Sequence, residues 1–524
     1  MQKSIVCTVL FLGCIACTVK RPAESPEPVV TDSVKPTYTE QYRPAYHFSP
    51  DHNWTNDPNG LVYFKGEYHL FYQYNPYGNV WGHMSWGHAV SNDLLHWEHL
   101  PVAIREYTNK ASGDSTMIFS GSAVVDSANT SGFFTGGEGG IVAMYTSHVH
   151  RNNQQLRQHQ SIAYSKDNGR TFTRYENNPV LDKNLKDFRD PKVFWYKPES
   201  KWVASIVVPD KFKVQFYESK DLKSWTLLSE FGPLGDTAKI WECPDLVEVP
   251  LLENPSKKKW VLLVSNSHPQ GPAYVGMQYF TGEFDGKKFT ADNPKQYPLY
   301  LEYGKDFYAA VTFNNIPKQD GRTILLGWAN NWAYGQSIPT HPWRSAMTLP
   351  RELYLKKTAK GYRIVQHPVR ELLTLRADSI GVDQLGRIFP EKSFEVEYEL
   401  TVNAKSKISV AGFKLITGKN EETVIGYDYK KDEVYFDRTK SGNVAFHSGF
   451  SSIERVPIKL QQGKLKLHVF VDNSIVEVYI NDGEQVITDQ IFPTSSEYTF
   501  KQFAEGGDAN AQIHIWKIKS VWLE

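Results

Sequence analysis

Cysteine is scarce in this sequence, and its distribution excludes a fold held together by disulfide bonds. The chain has 524 residues and 4 cysteines. Three of them, Cys7, Cys14 and Cys17, lie at the N-terminus, so Cys243 is the single thiol of the remaining chain. One thiol cannot form an intramolecular disulfide. The stability of the protein must therefore come from a large buried core, which a chain of this length can build in two or three domains.

An excess of charge of one sign is also missing. Lys and Arg together number 58, Asp and Glu together number 58, and the formal net charge is +0. A protein that binds nucleic acid through its phosphates needs a basic surplus, so this balance argues against a nucleic-acid partner. The sequence contains no glycine-rich phosphate loop, no dinucleotide fingerprint and no group of residues with metal-ligand spacing. We therefore expect neither a cofactor nor a metal ion, and interpret His83 and His88 as structural or rim residues.

Long hydrophobic runs are absent except for a short one at the N-terminus. Residues 5–12, IVCTVLFL, follow Lys3. This run is too short for a permanent membrane helix and is typical of a secretion signal. Cys14 and Cys17 each follow a small residue, as in bacterial lipoprotein signals, and we favour Cys17 as the lipidated residue. We predict a signal peptide over residues 1–17, with an ordinary cleaved signal as the alternative.

The segment after this signal is rich in proline. Residues 18–44 contain five prolines among polar residues, which predicts an extended tether. The protein is then expected in the bacterial cell envelope, as a periplasmic or surface lipoprotein. It would meet the membrane only through its N-terminal lipid. Which face of the envelope it occupies, and its oligomeric state, stay open.

Extended helical periodicity is absent from residue 45 onward. Short apolar and aromatic segments alternate there with turns rich in Gly, Asn, Asp and Pro, which is typical of an all-β fold. A polar turn that ends on an aromatic residue recurs, with copies about 50 to 75 residues apart, the length of one four-stranded propeller blade. The copies are SNDLLHW at 91–97, SKDNGRTF at 165–172, SKDLKSW at 219–225 and FDGKKF at 284–289. We predict a β-propeller over residues 45–365; chance recurrence of a common turn is the alternative.

A second unit follows the propeller. Residues 367–373, HPVRELL, predict a short linker helix within residues 366–374. Residues 464–471, KLKLHVFV, alternate between apolar and polar positions, as in a half-buried strand. A second alternating segment at residues 476–480 ends in the turn NDGE. We therefore predict a β-sandwich over residues 375–524, which is a normal size for one domain.

Three carboxylates stand in unusual contexts. Asp57, Asp190 and Glu242 each precede a proline-containing turn and a strand-like segment. The first strand of each propeller blade lines the central channel, so three such strands would bring the three acids to one mouth of that channel. Hydrolysis of a glycoside needs one ionised carboxylate and one protonated carboxyl group, and a third can stabilise positive charge on the sugar. Taken singly, each acid is equally compatible with a turn or a structural ion pair.

The contexts of these acids resemble the signature of glycoside hydrolase family 32, which includes invertases, inulinases and levanases. The resemblance covers about residues 46–520, and its motifs occur in the expected order. They are WTNDPNG at 54–60, FSGS at 119–122, RDP at 189–191, ECP at 242–244, DFYA at 306–309, PWRSAMTLPR at 342–351 and VYINDG at 478–483. The resemblance implies a five-bladed β-propeller with an appended β-sandwich, and a retaining mechanism.

The resemblance also implies roles for individual residues. Asp57 corresponds to the nucleophile, Glu242 to the general acid and base, and Asp190 to the residue that binds fructose hydroxyls and stabilises the transition state. Further positions are implied to line the subsite of the terminal fructose: Asn56, Gln73, Trp81, Ser122, Arg189 and Trp332. Thr55 departs from the pattern, because the family usually has Met there, which puts in doubt the packing beneath the nucleophile.

The residues leave several functions open. We expect an exo-acting enzyme that releases fructose from inulin, levan, fructo-oligosaccharides or sucrose, because residues 331–336, NWAYGQ, resemble exo-acting members. The alternatives are an endo-levanase or endo-inulinase, a non-catalytic fructan-binding protein, and an inverting arabinan-cleaving propeller enzyme. The linkage preference, β2,1 or β2,6, depends on loops whose shapes the sequence does not reveal.

Overall fold

The computed structural model describes residues 37–522, except residues 136, 138, 382–385, 387, 390, 403–406 and 508. The predicted signal peptide 1–17 and residues 18–36 of the predicted tether lie outside the described residues. The described part consists of β-strands and of short 3-10 helices, and it contains no helix long and apolar enough to cross a membrane. The 3-10 helices are Lys197–Glu199, Pro209–Lys211, Pro294–Gln296, Gly335–Ser337 and Arg370–Leu375.

Among the described residues, the first part of the chain forms 23 strands. They are β1 (Asn53–Phe64), β2 (Glu67–Tyr74), β3 (Ser85–Ser91), β4 (Glu98–Ile104), β5 (Tyr107–Thr108), β6 (Ser115–Val125), β7 (Ile141–Arg151), β8 (Gln154–Ser165), β9 (Thr173–Arg174), β10 (Leu181–Leu185), β11 (Arg189–Tyr196), β12 (Lys201–Val208), β13 (Lys213–Ser219), β14 (Thr226–Phe231), β15 (Glu242–Leu251), β16 (Asn254–His268), β17 (Gly271–Phe284), β18 (Phe289–Ala291), β19 (Tyr308–Thr312), β20 (Ile324–Trp328), β21 (Trp343–Arg344), β22 (Arg351–Thr358) and β23 (Gly361–Pro368).

These strands form antiparallel meanders. The sheet orders are β21-β1-β2-β3-β4, β10-β8-β7-β6-β5, β11-β12-β13-β14 and β18-β17-β16-β15-β22-β20-β19. The innermost strands meet in a closed ring, in which β1 contacts β6, β6 contacts β11, β11 contacts β15, β15 contacts β19 and β19 contacts β1. Meanders that radiate from a closed ring of inner strands are the architecture of a β-propeller.

The ring supports the predicted count of five blades, but the count itself stays a prediction. The last two meanders share one eight-stranded sheet, because β15 pairs in parallel with β22 where Leu251 meets Leu355. The repeated turn occupies the same place in four meanders, between β3 and β4, β8 and β9, β13 and β14, and β17 and β18. In each copy an aspartate accepts hydrogen bonds from backbone N–H groups a few residues later, which closes the turn; these residues are Asp93, Asp167, Asp221 and Asp285.

The C-terminal part forms two further sheets that pack face to face. Their strands are β24 (Arg376–Ile380), β25 (Ile388–Phe389), β26 (Ser393–Thr401), β27 (Val410–Gly418), β28 (Glu421–Asp428), β29 (Glu433–Lys440), β30 (Ile453–Pro457), β31 (Lys464–Asp472), β32 (Ile475–Ile480), β33 (Gln485–Gln490), β34 (Tyr498–Glu505) and β35 (Asn510–Ile518). The orders are β24-β35-β26-β31-β32-β33 and β25-β34-β27-β28-β29-β30. One apolar cluster, which includes Phe394, Phe413 and Val478, fills the space between them. This confirms the predicted β-sandwich.

Strand β31 shows why the sequence pattern there was informative. Its residues Leu465, Leu467 and Val469 are buried in the sandwich core, as the alternation predicts. The opposite face of the same strand is also covered, because Phe470 packs with Tyr479 in a cluster that includes propeller residues. The two parts of the chain therefore share one apolar cluster at their junction.

Two predicted boundaries differ from the structure. Residues 366–368 belong to β23 and not to the linker helix, because their backbone pairs with β22. The helical turn is the 3-10 helix Arg370–Leu375. At the N-terminal end, residues 42–44 of the predicted tether are buried in the folded body. The Arg43 guanidinium donates to Ser49 Oγ at 3.0 Å and lies 3.7 Å from the Trp343 ring centroid, which fixes the chain there.

Candidate active site

Each inner strand of the propeller is interrupted by a β-bulge. The bulges lie between Thr55 and Pro58, Phe119 and Gly121, Arg189 and Lys192, Glu242 and Asp245, and Tyr308 and Val311. A bulge leaves a residue unpaired, bends the strand and changes the direction in which side chains point. The acids Asp57, Asp190 and Glu242 all lie at these bulges, so one backbone device repeated around the ring brings together the three predicted catalytic residues.

The local sequence of the first bulge has a steric reason. Gly60 has a φ of +55°, in the left-handed region that favours glycine. A Cβ at this position would lie 2.5 Å from Cδ2 of Phe71, which is buried beneath the strand. The glycine of the WTNDPNG motif therefore lets β1 approach β2 closely just after Asp57.

Asp57 is held by two neutral donors. Its Oδ2 accepts a hydrogen bond of 2.6 Å from Ser120 Oγ on β6, and its Oδ1 accepts one of 2.9 Å from Asn56 Nδ2. Burial raises the pKa of Asp57, the two hydrogen bonds lower it, and the nearby charge of Glu242 raises it again. The net effect is a raised pKa in a carboxylate whose orientation is fixed at both oxygens.

Asp190 lies at the bulge of β11 in a left-handed conformation, with a φ of +61°. Its Oδ2 accepts a hydrogen bond of 3.0 Å from the backbone N–H of Cys243, and its own N–H donates to Thr146 Oγ1 at 2.9 Å. Burial raises the pKa of Asp190 to about 7, although the Arg189 charge lowers it. Cys243 Sγ lies 3.7 Å from Asp57 Oδ2 and 3.9 Å from Asp190 Oδ2, so the thiol sits between the two aspartates.

Glu242 is held differently from the two aspartates. Its Oε1 accepts two hydrogen bonds from Arg189, at 3.2 Å from Nε and 2.9 Å from Nη2. Its Oε2 accepts one of 2.6 Å from Tyr308 Oη on β19. Burial and the charge of Glu242 raise the pKa of Tyr308 well above its usual range, so this hydroxyl remains a donor. The Glu242 side chain is 24% exposed against 7% for Asp190, so it is the acid with more access to solvent.

Two tryptophans pack against residues close to those that hold Asp57. Trp332 packs against Trp328 and Trp54, with ring centroids at 4.8 Å and 5.9 Å. The Trp54 indole donates a hydrogen bond of 2.8 Å to Asn56 Oδ1, which orients the amide that holds Asp57. Trp81 is 38% exposed and stands edge-on to Phe119, the residue before Ser120. Trp332 thus packs on a residue that orients Asn56, and Trp81 packs on the neighbour of Ser120, so both tryptophans contact residues adjoining the two that hold Asp57.

Two other residues named by the resemblance have structural contacts. Gln73 Nε2 donates to the backbone carbonyl of Ile118 at 2.9 Å, which ties the first meander to the second. Ser122 Oγ accepts a hydrogen bond of 2.8 Å from the backbone N–H of Val193, between the second and third meanders. Ser122 is thus engaged with a neighbouring blade, and its place in the subsite of the terminal fructose stays a prediction.

Three residues of the site were missed as site residues by sequence reasoning. Ser120 contacts Asp57, Tyr308 contacts Glu242, and the Cys243 thiol lies between the aspartates. All three belong to motifs that carried the resemblance, so the motifs themselves were the available signal. The departure at Thr55 is accommodated by a hydrogen bond, because its buried hydroxyl donates to the Gln73 carbonyl at 3.0 Å.

The geometry supplies two carboxyl groups in different environments, Asp57 and Glu242, together with a third acid, Asp190, at the neighbouring bulge. Asp57 is fixed by neutral donors, whereas Glu242 is paired with the Arg189 cation and is accessible to solvent. Glycoside hydrolysis requires such a pair, one acid to attack or activate and one to exchange a proton with the leaving oxygen.

Comparison with known proteins agrees with this chemistry. The model of the "Glycosyl hydrolases family 32 N-terminal domain" matches residues 47–368, and that of the family's C-terminal part matches residues 366–517. The chain belongs to glycosyl hydrolase family 32. It is a glycoside hydrolase built from the propeller and sandwich of that family, as the sequence resemblance implied.

Relatives of this family 32 protein match it over most of its length. A levanase of Bacillus subtilis (strain 168) is 48% identical over 499 residues, covering 93% of this chain and 72% of the relative. An extracellular exo-inulinase of Aspergillus awamori is 41% identical over 527 residues, covering 93% and 96%. The crystal structure of exo-inulinase from Aspergillus awamori superposes with a TM-score of 0.84 at 40% identity, covering 93% of this chain and all of the other. A β-fructofuranosidase from Schwanniomyces occidentalis gives 0.80 at 32% identity, covering 92% and 99%.

Proposed function

We propose that this family 32 enzyme is a retaining, exo-acting β-fructosidase that releases fructose from inulin, levan and fructo-oligosaccharides, with sucrose as a further substrate. The observation that carries the proposal is the contrast between Asp57, fixed by Ser120 and Asn56, and Glu242, paired with Arg189. The relatives named levanase and exo-inulinase support a fructan substrate.

Asp57 attacks the anomeric carbon of the terminal fructose and forms a covalent fructosyl-enzyme. Its two hydrogen bonds hold the attacking oxygens in place, so little reorganisation is needed on the way to the transition state. The pKa of Asp57 is raised by burial, which also makes its carboxylate a stronger nucleophile once it is ionised.

Glu242 donates a proton to the leaving oxygen and then removes one from the water that releases the fructose. Its exposure allows proton exchange with solvent between the two steps. Asp190 accepts hydrogen bonds from fructose hydroxyls and stabilises the positive charge that develops on the ring. The residues that surround the terminal fructose, with the two tryptophans as its apolar walls, are Asn56, Gln73, Trp81, Ser122, Arg189 and Trp332.

A timed digest tests the proposed substrate and mode of action. Purified protein is incubated with inulin, levan and sucrose, and the products are sized from the earliest time points. Fructose alone at those times is expected for exo action. Early release of oligomers would identify an endo-levanase or endo-inulinase. No turnover of inulin, levan or sucrose would indicate a non-catalytic fructan-binding protein.

A matched pair of variants tests the role of Glu242. We expect Glu242→Gln to lower kcat on the preferred fructan by about 10²–10⁴-fold, the usual contribution of a general acid. Glu248→Gln is the control, because Glu248 is an exposed glutamate on the same strand. Loss of activity in both variants, or in neither, would contradict the assignment.

The stereochemistry of the product tests the covalent step at Asp57. Proton NMR of the first-formed anomer should show retention of configuration. Inversion would exclude a fructosyl-enzyme on Asp57 and would favour a direct attack by water, as in the inverting arabinan-cleaving enzymes.

We also propose that the protein is exported and anchored by a lipid on Cys17. The apolar run at residues 5–12 and the small residues before Cys14 and Cys17 support this proposal, and one relative is named extracellular. Labelling with radioactive palmitate in a bacterial host should mark the wild type and Cys14→Ser but not Cys17→Ser. Label that persists in Cys17→Ser would place the lipid on another residue and contradict the assignment to Cys17.

A further inference from the structure

A closed triangle of hydrogen bonds lies at the boundary between propeller and sandwich. Arg438, on β29 of the sandwich, donates from Nη1 to Asp306 Oδ2 at 2.5 Å and from Nη2 to Tyr334 Oη at 2.8 Å. Tyr334 Oη in turn donates to Asp306 Oδ1 at 2.6 Å. Arg438 and Asp306 are both fully buried, so these bonds form without competing water.

Both partners of Arg438 belong to propeller segments that reach the active site. Asp306 lies two residues before Tyr308, whose hydroxyl donates to Glu242. Tyr334 lies two residues after Trp332, which packs on Trp328 and on Trp54, whose indole donates to Asn56, the residue that holds Asp57. One sandwich side chain therefore holds the two segments that supply a donor to the proposed acid and a wall to the proposed fructose pocket.

Neighbouring contacts hold the same two segments. Gln490, on β33 of the sandwich, donates from its backbone N–H to Asp306 Oδ2 at 2.7 Å and from Nε2 to the Ala329 carbonyl at 2.8 Å. Asn331 Nδ2 donates to the Lys305 carbonyl at 2.6 Å, which joins the two segments directly. The segments around Asp306 and Trp332 are thus coupled to each other and to the sandwich.

The chemistry of this contact favours a role in orientation. Apolar packing could join the two domains at lower desolvation cost, since a buried ion pair adds little stability over well-packed apolar groups. A planar guanidinium with two directed donors fixes the relative direction of its acceptors, which apolar packing does not. A displacement of a reacting group by about 1 Å lowers rates by about 10²-fold, so a directional clamp has a functional consequence.

We propose that Arg438 is a positioning residue of the active site, through which the sandwich sets the orientation of Tyr308 toward Glu242 and of Trp332 beside Asp57. The proposal rests on the proposed function for its kinetic readout, and it has a spectroscopic readout that does not need a substrate. It assigns the sandwich a part in turnover beyond that of a stabilising partner.

Arg438→Met and Arg438→Lys test the proposal. Measured well below the Tm of each variant, kcat should fall about 10-fold or more for Arg438→Met and less for Arg438→Lys, because an ammonium group can hold one acceptor but not both in the fork geometry. The near-UV circular dichroism of the folded variants should change, since Trp332 lies against two other tryptophans.

Arg322→Met is the matched control. Arg322 is a buried propeller arginine with three carboxylate partners, Asp320, Glu352 and Glu371, and none of them is a residue of the candidate site. Its loss should lower the Tm while kcat and the near-UV spectrum of the folded enzyme stay at wild-type values. This outcome separates a general loss of stability from a loss of positioning.

Several outcomes would overturn the proposal. Wild-type kcat and an unchanged near-UV spectrum in folded Arg438→Met would reduce Arg438 to a stabilising contact. If Arg438→Met does not fold, Tyr334→Phe removes one corner of the triangle and keeps the ring, and a kcat change of less than about 2-fold would contradict positioning. An inactive wild type would refute the proposed function instead, while the spectral comparison would still decide the role of Arg438.

Discussion

Tyr308 Oη donates a hydrogen bond of 2.6 Å to Glu242 Oε2, and this bond joins two inner strands of the propeller. Arg189 occupies the other oxygen of the same carboxylate. The proposed acid is therefore held at both oxygens, by the Arg189 guanidinium at Oε1 and by the neutral Tyr308 hydroxyl at Oε2, and the two contacts together fix its plane. Removing the Tyr308 hydroxyl leaves the Arg189 charge in place and affects only the orientation of the Glu242 carboxyl group.

We expect Tyr308→Phe to lower kcat on the preferred fructan by about 10-fold, with a smaller change in KM, because the lost bond orients the proton donor rather than the bound sugar. Steady-state kinetics measure both constants. Tyr498→Phe is the control, since Tyr498 is a buried tyrosine that packs on Phe389 and Phe394 in the sandwich. Equal losses in the two variants would indicate a general effect of removing a tyrosine hydroxyl.

Ser120 and Ser122 offer a second matched pair. Ser120 donates to Asp57 and thereby lowers the pKa of that carboxyl, so Ser120→Ala should raise it. Because the nucleophile must be ionised, the acid limb of the profile of kcat/KM against pH should move to higher pH. Ser122→Ala, which removes an acceptor for Val193 N–H, should lower the Tm and leave that limb in place. A shifted limb in Ser122→Ala alone would reverse the roles inferred from the structure.

This pair of serines also shows where sequence reasoning reaches its limit. Residues two apart on a regular strand point to the same face, so the FSGS motif does not tell which serine faces the site. The bulge between Phe119 and Gly121 breaks this alternation, and a bulge has no clear mark in the sequence. The acids were predictable, because Asp57, Asp190 and Glu242 stand in distinctive motifs.

The fold, like the site, has features that the sequence predicts and features that it does not. The turn aspartates such as Asp93 and Asp221 were predictable, because each forms its hydrogen bonds with residues that follow closely in the chain. The contact between Arg438 and Asp306 was not, since it joins residues far apart in sequence and depends on how the sandwich packs on the propeller. Local chemistry is visible in a single sequence, whereas contacts between domains need the structure.

The pKa of Asp190 predicts how stability depends on pH. Burial raises the pKa in the folded state to about 7, above the usual value for an aspartate, so folding is favoured when this group is protonated. That contribution is present below about pH 4 and is lost as the pH rises toward 7. Asp190→Asn should therefore be inactive but more stable than the wild type at pH 7.5, with a Tm higher by about 2–4 °C.

Differential scanning calorimetry at several pH values checks this prediction. The difference in Tm between Asp190→Asn and wild type should shrink as the pH falls from 7.5 to 4.5. Asp187→Asn is the control, because Asp187 also pairs with Arg189 but is more exposed, with 36% of its side chain accessible. A Tm difference for Asp190→Asn that is the same at all pH values would contradict the raised pKa.

The pKa of His47 predicts a second loss of stability with rising pH, at alkaline pH. It is fully buried, and its Nδ1 lies 2.8 Å from Asp472 Oδ2 while its Nε2 lies 3.4 Å from Glu477 Oε1. Burial lowers the pKa of His47, but the hydrogen bond to Asp472 and the charges of Asp472 and Glu477 outweigh burial and raise the pKa to about 9. The stability from this protonated pair is fully present below about pH 6.5 and is lost as the pH rises through about 9.

We expect the wild type to be more stable than His47→Gln at pH 7, by about 3 kcal/mol at most. The Tm difference should narrow steadily between pH 7 and pH 10, as the histidine loses its proton in the folded state. Thermal unfolding of both proteins across this range measures the difference, and His83→Gln is the control because the His83 side chain is 60% exposed. A difference that stays constant up to pH 10 would mean that His47 is already neutral at pH 7, held by hydrogen bonds without a charge.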